Sequence, residues 1–337
     1  MTILNGIEID NIEYHYNDIK GAIMNNMMLD NVLHCIIVSS NPCNYARRVI
    51  LAREFIKRFE NEPNIQLYIV ELAYGNQDYH LTNNHNKNHL QLRAKMNQVL
   101  WHKENMINIG VKKLFPKTWK AFAWIDADIE FESATWASDT LKILNGTCDI
   151  VQLFSHAVDM DKNMNAMSIF PSFGFQYNKN RPYGLNGTQN FWHPGYCWAM
   201  TRTAYEKIGG LYQHSILGAG DHSMAFSLLG KGRNSINQCT TDSYKESVAN
   251  FEEKMFGLKL GYTPGVIRHH FHGSKKNRKY SERWMILVDN RYDPNLHLTT
   301  NKDGLLIPSS ECPPQLISDI FQYFSERNED EGYTENY

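Results

Sequence analysis

The sequence shows no long apolar run, no excess of basic residues and no signal-peptide pattern at residues 1–11, and each absence argues against a class of protein. No stretch approaches the roughly 18 apolar residues that a membrane-spanning helix needs. Residues 1–11 have neither the basic nor the apolar region of a signal peptide. With 34 basic and 36 acidic residues, the net charge of −2 does not suggest a surface built for nucleic-acid phosphates. We expect a soluble, cytoplasmic protein without a membrane span.

The motifs of several common cofactor sites are also missing. None of the six cysteines belongs to a Cys-x-x-Cys pair, so we expect reduced thiols and no zinc site. No Gly-x-Gly-x-x-Gly follows the first predicted strand, and the P-loop pattern Gly-x-x-x-x-Gly-Lys-[Ser/Thr] occurs nowhere. These absences argue against a dinucleotide-dependent dehydrogenase and against a P-loop nucleotidase.

The first half of the chain has the pattern of an α/β protein. Residues 32–38 and 65–72 are short apolar runs typical of buried strands. Between them, apolar residues at four-three spacing over 45–59 predict an amphipathic helix. A strand, a helix and a strand in this order form a βαβ unit, which indicates a largely parallel sheet. After a polar loop at 75–88, a long helix is predicted over 90–114.

Two carboxylates, Asp126 and Asp128, follow the buried strand predicted at 121–125. Ligands collect at the carboxyl ends of strands in open α/β sheets. Two like charges this close oppose each other's ionisation, and a divalent cation removes that cost. Hard oxygen ligands suit Mg²⁺ or Mn²⁺. A solvated strand end without any ligand stays open as the alternative, because Asp-x-Asp is short enough to occur by chance.

Three later segments carry further candidate residues. Residues 218–222 place Asp221 and His222 on a glycine-flanked turn at a predicted helix start, where a simple N-cap is the alternative to a catalytic base. Residues 269–272 contain three histidines, which either complete a metal site or form an interdomain cluster. The basic run at 275–283 indicates either a solvated loop or a lid that clamps a diphosphate. The upstream aromatic residues, a type that packs on sugars as readily as in cores, are Trp192, Tyr196 and Trp198.

The order of these pieces resembles that of a GT-A fold glycosyltransferase, in particular the galactosyltransferase and polypeptide N-acetylgalactosaminyltransferase branch. Such enzymes have a βαβ nucleotide half, then Asp-x-Asp, then a glycine-rich acceptor segment and a late histidine. The resemblance covers roughly residues 32–285. The segments that match these motifs are 36–41, 103–114, 124–128, 205–211, 218–222 and 267–272. The resemblance implies an α/β fold with a single mixed, mostly parallel sheet flanked by helices.

The resemblance also implies a division of the chain around that sheet. A nucleotide-sugar-binding half is expected at 31–150, and an acceptor-binding and metal-histidine half at 151–293. Outside the resemblance, we expect an N-terminal cover segment at 1–30, a C-terminal helical extension at 294–324 and a disordered acidic tail at 325–337.

Individual residues receive roles from the same resemblance. The implied metal ligands are Asp126, Asp128 and one late histidine, and the family's Ile-Arg-His pattern points to His269. In an extended strand, however, alternate side chains share a face, so His270 and His272 would point the same way with His269 turned away. We favour His272 and then His270. The residues implied for catalysis are Asp221 and His222, and those implied for the acceptor are Trp192, Tyr196, Trp198 and Asp221. The residues implied for donor binding are Ser39, Asn41, Glu71, Lys103, Asp126, Lys275, Lys276 and Arg278.

The predicted function is metal-dependent transfer of a sugar from a nucleotide diphosphate donor, UDP before others, to an intracellular hydroxyl acceptor. Mn²⁺ or Mg²⁺ is the expected cofactor. The acceptor is a glycan, a protein side chain or a hydroxylated DNA base, and these motifs do not choose among them. Two alternatives stay open: a metal-dependent phosphoesterase or nucleotidyltransferase, and a non-catalytic sugar-binding module. The donor sugar and the stereochemical outcome are not determined by the motifs either.

Overall fold

The computed structural model describes residues 2–4, 7–9, 31–60, 62–145, 148–184 and 191–332. The strands are β1 (Thr2–Leu4), β2 (Ile7–Ile9), β3 (Leu33–Ser40), β4 (Ile65–Tyr74), β5 (His89–Ala94), β6 (Ala121–Ile125), β7 (Ile129–Phe131), β8 (Ile150–Gln152), β9 (His156–Met160), β10 (Ala166–Pro171), β11 (Cys197–Thr201), β12 (Leu260–Tyr262), β13 (Val266–His269), β14 (Leu298–Thr300) and β15 (Leu306–Pro308). The α-helices are α1 (Ala46–Phe59), α2 (Lys103–Leu114), α3 (Trp136–Leu144), α4 (Phe173–Asn178), α5 (Arg202–Ile208), α6 (Gly220–Leu228), α7 (Asp242–Met255), α8 (Trp284–Asp289), α9 (Pro294–His297) and α10 (Pro314–Glu326).

A seven-stranded sheet in the order β12-β8-β11-β6-β3-β4-β5 forms the centre of the described chain. β3 runs parallel to both β4 and β6, β4 runs parallel to β5, and β12 runs parallel to β8. Within this sheet, β11 is antiparallel to its neighbours β6 and β8. Helices pack on the sheet, among them α2 on β3 and α3 on β8. The predicted α/β class with a mixed, mostly parallel sheet is confirmed.

Burial explains why the central elements form where they do. All five residues of β6 are buried, as expected for a central strand that is covered on both faces. Helix α1 buries Leu51, Phe55 and Phe59 on one face, which is the amphipathic pattern of a helix on a sheet. In α2, Gly110 permits close approach to β3, because a Cβ at that position would lie 2.3 Å from Ile36 Cδ1.

A second, four-stranded sheet has the order β10-β9-β13-β7. The chain passes from β6 in the first sheet to β7 in the second through residues 126–128. β13 lies between β7 and β9 and ends at His269, which is paired with Ile129. The amide of the next residue, His270, donates a 2.8 Å hydrogen bond to the Asp128 carbonyl. The topology therefore brings the late histidines next to the connection that carries both aspartates.

The long helix predicted over 90–114 is wrong in its first half. Residues His89–Ala94 form strand β5, and α2 begins only at Lys103. In β5, Leu92 and Ala94 are buried and the residue between them is exposed, which is the two-residue period of a strand. β5 pairs in parallel with β4, and this pairing outweighs the helical tendency of a short segment.

The disordered tail predicted at 325–337 is wrong for residues 325–332, which the structure describes. Helix α10 continues to Glu326, and Arg327 and Glu329 beyond it are only 4% and 1% exposed. A 2.7 Å ion pair joins these two side chains. Pairing offsets the cost of burying charge, so an acidic composition does not prevent this segment from packing.

The two ends of the chain are described only in part. Of the predicted cover segment 1–30, the structure describes the β1–β2 hairpin backbone, and the rest lies outside the described residues, as do residues 333–337. The predicted extension at 294–324 contains α9, the β14–β15 hairpin and most of α10. In the part of the chain that the structure describes, no helix combines the length and the apolarity that a membrane span requires.

Candidate functional site

The candidate site lies where the parallel strands β3 and β6 end. Because the two strands run in the same direction, their carboxyl ends meet at one edge of the sheet. A cavity opens there between Ser39 and Asn41, at the end of β3, and the connection 126–128. The charged and imidazole side chains that line it are Arg48, His102, Lys103, Asp126, Asp128, His272, Arg278, Arg327 and Glu329.

Asp128, His269 and His272, which we call the histidine–carboxylate cluster, converge on one another, and Asp128 and His272 line this cavity. Asp128 Oδ2 is 2.9 Å from His272 Nε2 and 3.9 Å from His269 Nε2, and the two Nε2 atoms are 3.2 Å apart. The other carboxylate oxygen, Asp128 Oδ1, is buried without a hydrogen-bond partner. A carboxylate and two imidazoles form a donor set that Mn²⁺ and similar divalent cations accept, so these residues fit the predicted metal.

Each histidine of this cluster has a second carboxylate behind it. His269 Nδ1 lies 2.9 Å from Asp159 Oδ1, and His272 Nδ1 lies 3.4 Å from Glu329 Oε2. A carboxylate at Nδ1 favours a proton on that nitrogen and leaves Nε2 free to face a cation. The sequence interpretation missed both carboxylates. The acid inside the apolar run 156–160 was a usable signal for Asp159, whereas no pattern marked Glu329.

Neighbouring charges favour the ionised forms of Asp128 and of Asp159 behind it. Burial raises the pKa of Asp128, but the adjacent imidazoles of His272 and His269 outweigh burial and bring that pKa well below its usual range. The pKa of Asp159 falls in the same way, because His269 and Lys275 outweigh the effect of burial. A deprotonated carboxylate is the form that binds a cation.

His270, predicted to share a face with His272, points elsewhere. That prediction assumed an extended strand through all three histidines, but β13 ends at His269 and the alternation of side chains ends with it. His270 Nε2 instead lies 3.3 Å from Glu130 Oε2. Of the three histidines, the structure brings His269 and His272 to Asp128.

Asp126 belongs to a different cluster, which surrounds Lys103. Its Oδ1 lies 2.5 Å from the Lys103 ammonium at the start of α2. Burial lowers the pKa of Lys103, but nearby carboxylates outweigh burial and raise that pKa above its usual value. These carboxylates and the lysine, which we call the lysine–carboxylate cluster, are Asp126, Asp221, Glu104 and Lys103. Asp126 is therefore paired with a lysine and is not part of the group that surrounds the imidazoles.

Glu104 is the member of this cluster that the sequence interpretation missed. It is 7% exposed, and burial raises its pKa to about 8, with Lys103 opposing the rise and Asp221 adding to it. Its carboxyl packs on Gly220 at the start of α6, since a Cβ on Gly220 would lie 2.4 Å from Glu104 Oε1. A buried carboxyl that holds its proton near neutral pH is a candidate proton carrier.

Asp221 lies in the first turn of α6. Its Oδ1 accepts a 2.8 Å hydrogen bond from the His222 amide, and its Oδ2 lies 3.1 Å from the position of a Cβ on Gly195. Gly195 therefore leaves room for this carboxylate. The His222 ring meets Phe226 edge-on, and burial lowers the pKa of His222, with Asp221 opposing that fall. The catalytic roles of both residues stay predictions.

Some of the residues predicted for donor binding line the cavity, and others lie outside its described lining. Ser39, Asn41 and Arg278 line the cavity. The Asn41 amide also bonds the backbone of Tyr45 in both directions, at 2.9 Å each, and so fixes the turn between β3 and α1. Arg278 Nη2 lies 2.7 Å from His272 Nε2. These three residues are positioned to meet a ligand in the cavity.

The two lysines before Arg278 lie farther out. Lys275 forms an ion pair with Asp159, and its ammonium is 5.2 Å from the centre of the Phe170 ring. Lys276 is exposed and is not among the described residues that line the cavity. Lys275 therefore pairs with the carboxylate that lies behind His269, whereas Lys276 is exposed and away from the described cavity lining.

Glu71, predicted to contact the donor base, binds the polar loop at 75–88 instead. Its carboxylate accepts hydrogen bonds of 2.6–3.2 Å from the amides of His80, Leu81 and Thr82 and from the Thr82 hydroxyl. Both oxygens are engaged, and Glu71 is not among the described residues that line the cavity. A carboxylate in the second half of β4 therefore finds its donors in the loop that follows the strand.

The aromatic residues predicted for the acceptor are mostly core residues. Trp192 and Trp198 are 6% and 1% exposed, and their indole N–H groups donate to the carbonyls of Pro182 and Pro194. Tyr196 is buried as well; its hydroxyl donates to Asp159, and its ring packs on His269 and His193. Burial leaves the two tryptophans no face for a sugar, and Tyr196 supports the histidine–carboxylate cluster.

Comparison with known proteins gives no match to a protein-family model and none to a curated sequence. Similar solved structures include two of the Drosophila β1,4-galactosyltransferase 7. The catalytic domain in complex with xylobiose has a TM-score of 0.37 at 8% identity, covering 86% of this chain and 98% of that one. A mutant in complex with manganese, UDP-Gal and xylobiose has a TM-score of 0.40 at 10% identity, with the same coverage. Likeness this weak leaves the function to be argued from the residues of the site.

Proposed function

We propose that this protein is a metal-dependent glycosyltransferase that moves a sugar from a nucleotide diphosphate donor to a hydroxyl acceptor. One observation carries the proposal. Two members of the histidine–carboxylate cluster, Asp128 and His272, line the same cavity as the end of β3 and several basic side chains, and Asp128 Oδ1 is buried without a hydrogen-bond partner. A divalent cation and a diphosphate are the ligands that such a combination of carboxylate, imidazole and guanidinium groups accepts.

The residues of the cavity have complementary tasks in this proposal. A bound divalent cation supplies Lewis-acid stabilisation of the diphosphate leaving group. Arg278, beside His272, and Lys103, beside Asp126, supply positive charge for the phosphate oxygens. Ser39 and Asn41, at the end of β3, form the wall against which the nucleoside lies. The metal ligands proposed are Asp128, His269 and His272, with Asp126 acting on Lys103.

Asp221 is the proposed base for the acceptor hydroxyl. It lies at the N-terminus of α6, where the helix dipole favours a negative charge, and its charge acts on Lys103 in the cavity wall. The buried carboxyl of Glu104 in the same cluster is suited to hold a proton. The acceptor enters between Asp221 and the donor.

The proposal is tested by thermal unfolding of the metal-free protein with Mn²⁺, with UDP and with both. We expect the pair to raise the melting temperature well beyond the sum of the separate shifts, because each ligand completes the site of the other. Uridine, which lacks the diphosphate, is the control and should show no synergy. Equal shifts for uridine and UDP would contradict the proposal.

A second measurement separates transfer from the other metal-dependent reactions. Nucleotide sugars are screened with Mn²⁺, and the products are identified by mass spectrometry. Free sugar and nucleoside diphosphate, formed by slow transfer to water, are expected from a glycosyltransferase. Nucleoside monophosphate with sugar phosphate would instead indicate a phosphoesterase or nucleotidyltransferase, and binding without turnover would indicate a sugar-binding module.

A further inference from the structure

The segment at 327–331, directly after α10, forms part of the cavity wall. Glu329 is 1% exposed and lies between two guanidinium groups. Its Oε1 is 2.8 Å from Arg48 Nη2 and 2.7 Å from Arg327 Nη2, and its Oε2 also contacts Arg48 Nε. Two guanidinium groups at these distances hold the carboxylate in place and offset the cost of burying it.

The same carboxylate reaches the metal-facing side of the cavity. Glu329 Oε2 lies 3.4 Å from His272 Nδ1, while His272 Nε2 faces Asp128. Asp159 has the equivalent position behind His269, at 2.9 Å. The two imidazoles are thus each backed by one buried acid, although one acid comes from strand β9 and the other from the end of the chain.

We infer that Glu329 is a positioning residue of the metal centre, which makes metal affinity depend on the segment at 327–331. The inference rests on the proposed metal site. A carboxylate at Nδ1 fixes the imidazole ring and strengthens Nε2 as a ligand. Arg48 and Arg327 hold Glu329 in place, so the orientation of His272 is set by contacts between α1 and the C-terminal segment.

Further contacts fix this segment independently of the histidine. Asp330 accepts hydrogen bonds from the first amides of α1, at Ala46 and Arg47, with lengths of 3.0 and 2.8 Å. Glu331 accepts from the amide of Ser274 at 3.2 Å and from Asn277 Nδ2 at 2.9 Å. Glu331 is therefore a carboxylate of the same segment that binds its neighbours without touching His272.

The test compares Glu329→Gln with the matched control Glu331→Gln. Mn²⁺ affinity is measured without nucleotide by electron paramagnetic resonance of free Mn²⁺, and the melting temperature of each variant is recorded in EDTA. We expect Glu329→Gln to weaken Mn²⁺ binding by about 10- to 100-fold, the usual effect of losing a carboxylate behind a ligating histidine. Glu331→Gln should stay within about threefold of the wild type, because it leaves that contact intact.

A more conservative variant guards against loss of folding in Glu329→Gln. Glu329→Asp keeps the negative charge between the two arginines but withdraws it from His272, so we expect a folded protein with about three- to tenfold weaker Mn²⁺ binding. Wild-type affinity in either folded Glu329 variant would overturn the positioning role while leaving the proposed function intact. Absence of Mn²⁺ binding by the wild type would overturn both.

Discussion

The lysine–carboxylate cluster and the histidine–carboxylate cluster begin at residues two positions apart, yet their electrostatics are opposite. Burial raises the pKa of Asp126, and the adjacent Asp128 adds to the rise while Lys103 opposes it. Burial acts on Asp128 too, but two imidazoles outweigh it and lower that pKa. The proposed roles differ accordingly: Asp126 is proposed to act on Lys103, and Asp128 is proposed to bind a cation.

The backbone explains why the two aspartates have separate surroundings. Residues two apart on a strand share a face, which is the assumption behind reading Asp-x-Asp as one pair of ligands. The connection 126–128 is a turn between β6 and β7, so this alternation does not apply. Asp126 stays beside α2 and Asp128 meets the end of β13. The Asp-x-Asp motif thus predicts where the site lies, but it does not predict that the two aspartates have the same surroundings.

Of the variants that distinguish the two clusters, Asp128→Asn is expected to have the largest effect on Mn²⁺ binding and on sugar transfer. Removing the one carboxylate between the imidazoles should weaken Mn²⁺ binding by at least about 100-fold and sugar transfer by about 1,000-fold, since the metal stabilises the leaving group by several kcal/mol. Isothermal titration with Mn²⁺ and a steady-state transfer assay measure the two losses. Asp303→Asn, at a half-exposed aspartate that pairs with Lys113, is the control. Wild-type Mn²⁺ affinity in Asp128→Asn would contradict the proposal that Asp128 is the metal-binding aspartate of the two.

The next largest effect on Mn²⁺ binding is expected to distinguish two adjacent histidines. His269 and His270 are similarly buried, at 8% and 3% exposed. His269→Gln should weaken Mn²⁺ binding by about 10- to 100-fold, because its Nε2 faces Asp128. His270→Gln should change it by less than about threefold, since its ring is directed at Glu130. The readout is the Mn²⁺ dissociation constant of each metal-free variant. A larger loss in His270→Gln would show that the strand-based alternation was the better guide.

The sequence predicted those strands and helices that have a periodic apolar pattern of their own. β3, α1, β4 and β6 were found because each has an apolar pattern within its own few residues, and Asp128 was found because it follows such a strand. The boundary of β13 was not predictable in this way. Its last residue is set by pairing with β7 and β9, and one residue of difference at that end exchanges His269 for His270.

The supporting acids were beyond reach because their partners are remote along the chain. His269 and Asp159 are 110 positions apart, and Arg48 and Glu329 are 281 positions apart. Nothing in a local pattern distinguishes Glu329 from the other acids of a polar, acidic C-terminal segment, and composition alone predicts disorder there. Burial and pairing decide its state, and both are properties of the folded chain.

A smaller effect is expected from Asp126→Asn, in the lysine–carboxylate cluster. The carboxylate is engaged by Lys103, so Mn²⁺ affinity should stay within about threefold of the wild type. Transfer should fall by about tenfold, because the loss of one hydrogen bond to a charged group costs about 1.5 kcal/mol. Titration of Mn²⁺ in parallel with the transfer assay gives both values. A loss of Mn²⁺ affinity equal to that of Asp128→Asn would restore the reading of Asp-x-Asp as two ligands.

The smallest effect concerns stability and follows from Glu104. Its pKa is about 8 in the folded protein against 4.5 ordinarily, so the folded state retains a proton that the unfolded state has lost. Stability from this group is fully present below about pH 4.5 and is lost as pH rises towards 8. Glu104→Gln cannot titrate, so this decline should be absent from the variant. Its melting temperature in EDTA, relative to that of the wild type, should rise by about 5 °C between pH 5 and 8.

The control is Glu206→Gln, at an exposed site paired with Arg202. Its melting temperature should show the same pH dependence as that of the wild type. Parallel curves for Glu104→Gln as well would mean that the carboxyl is ionised in the folded protein, and the two clusters would then differ less in proton affinity than their geometry indicates.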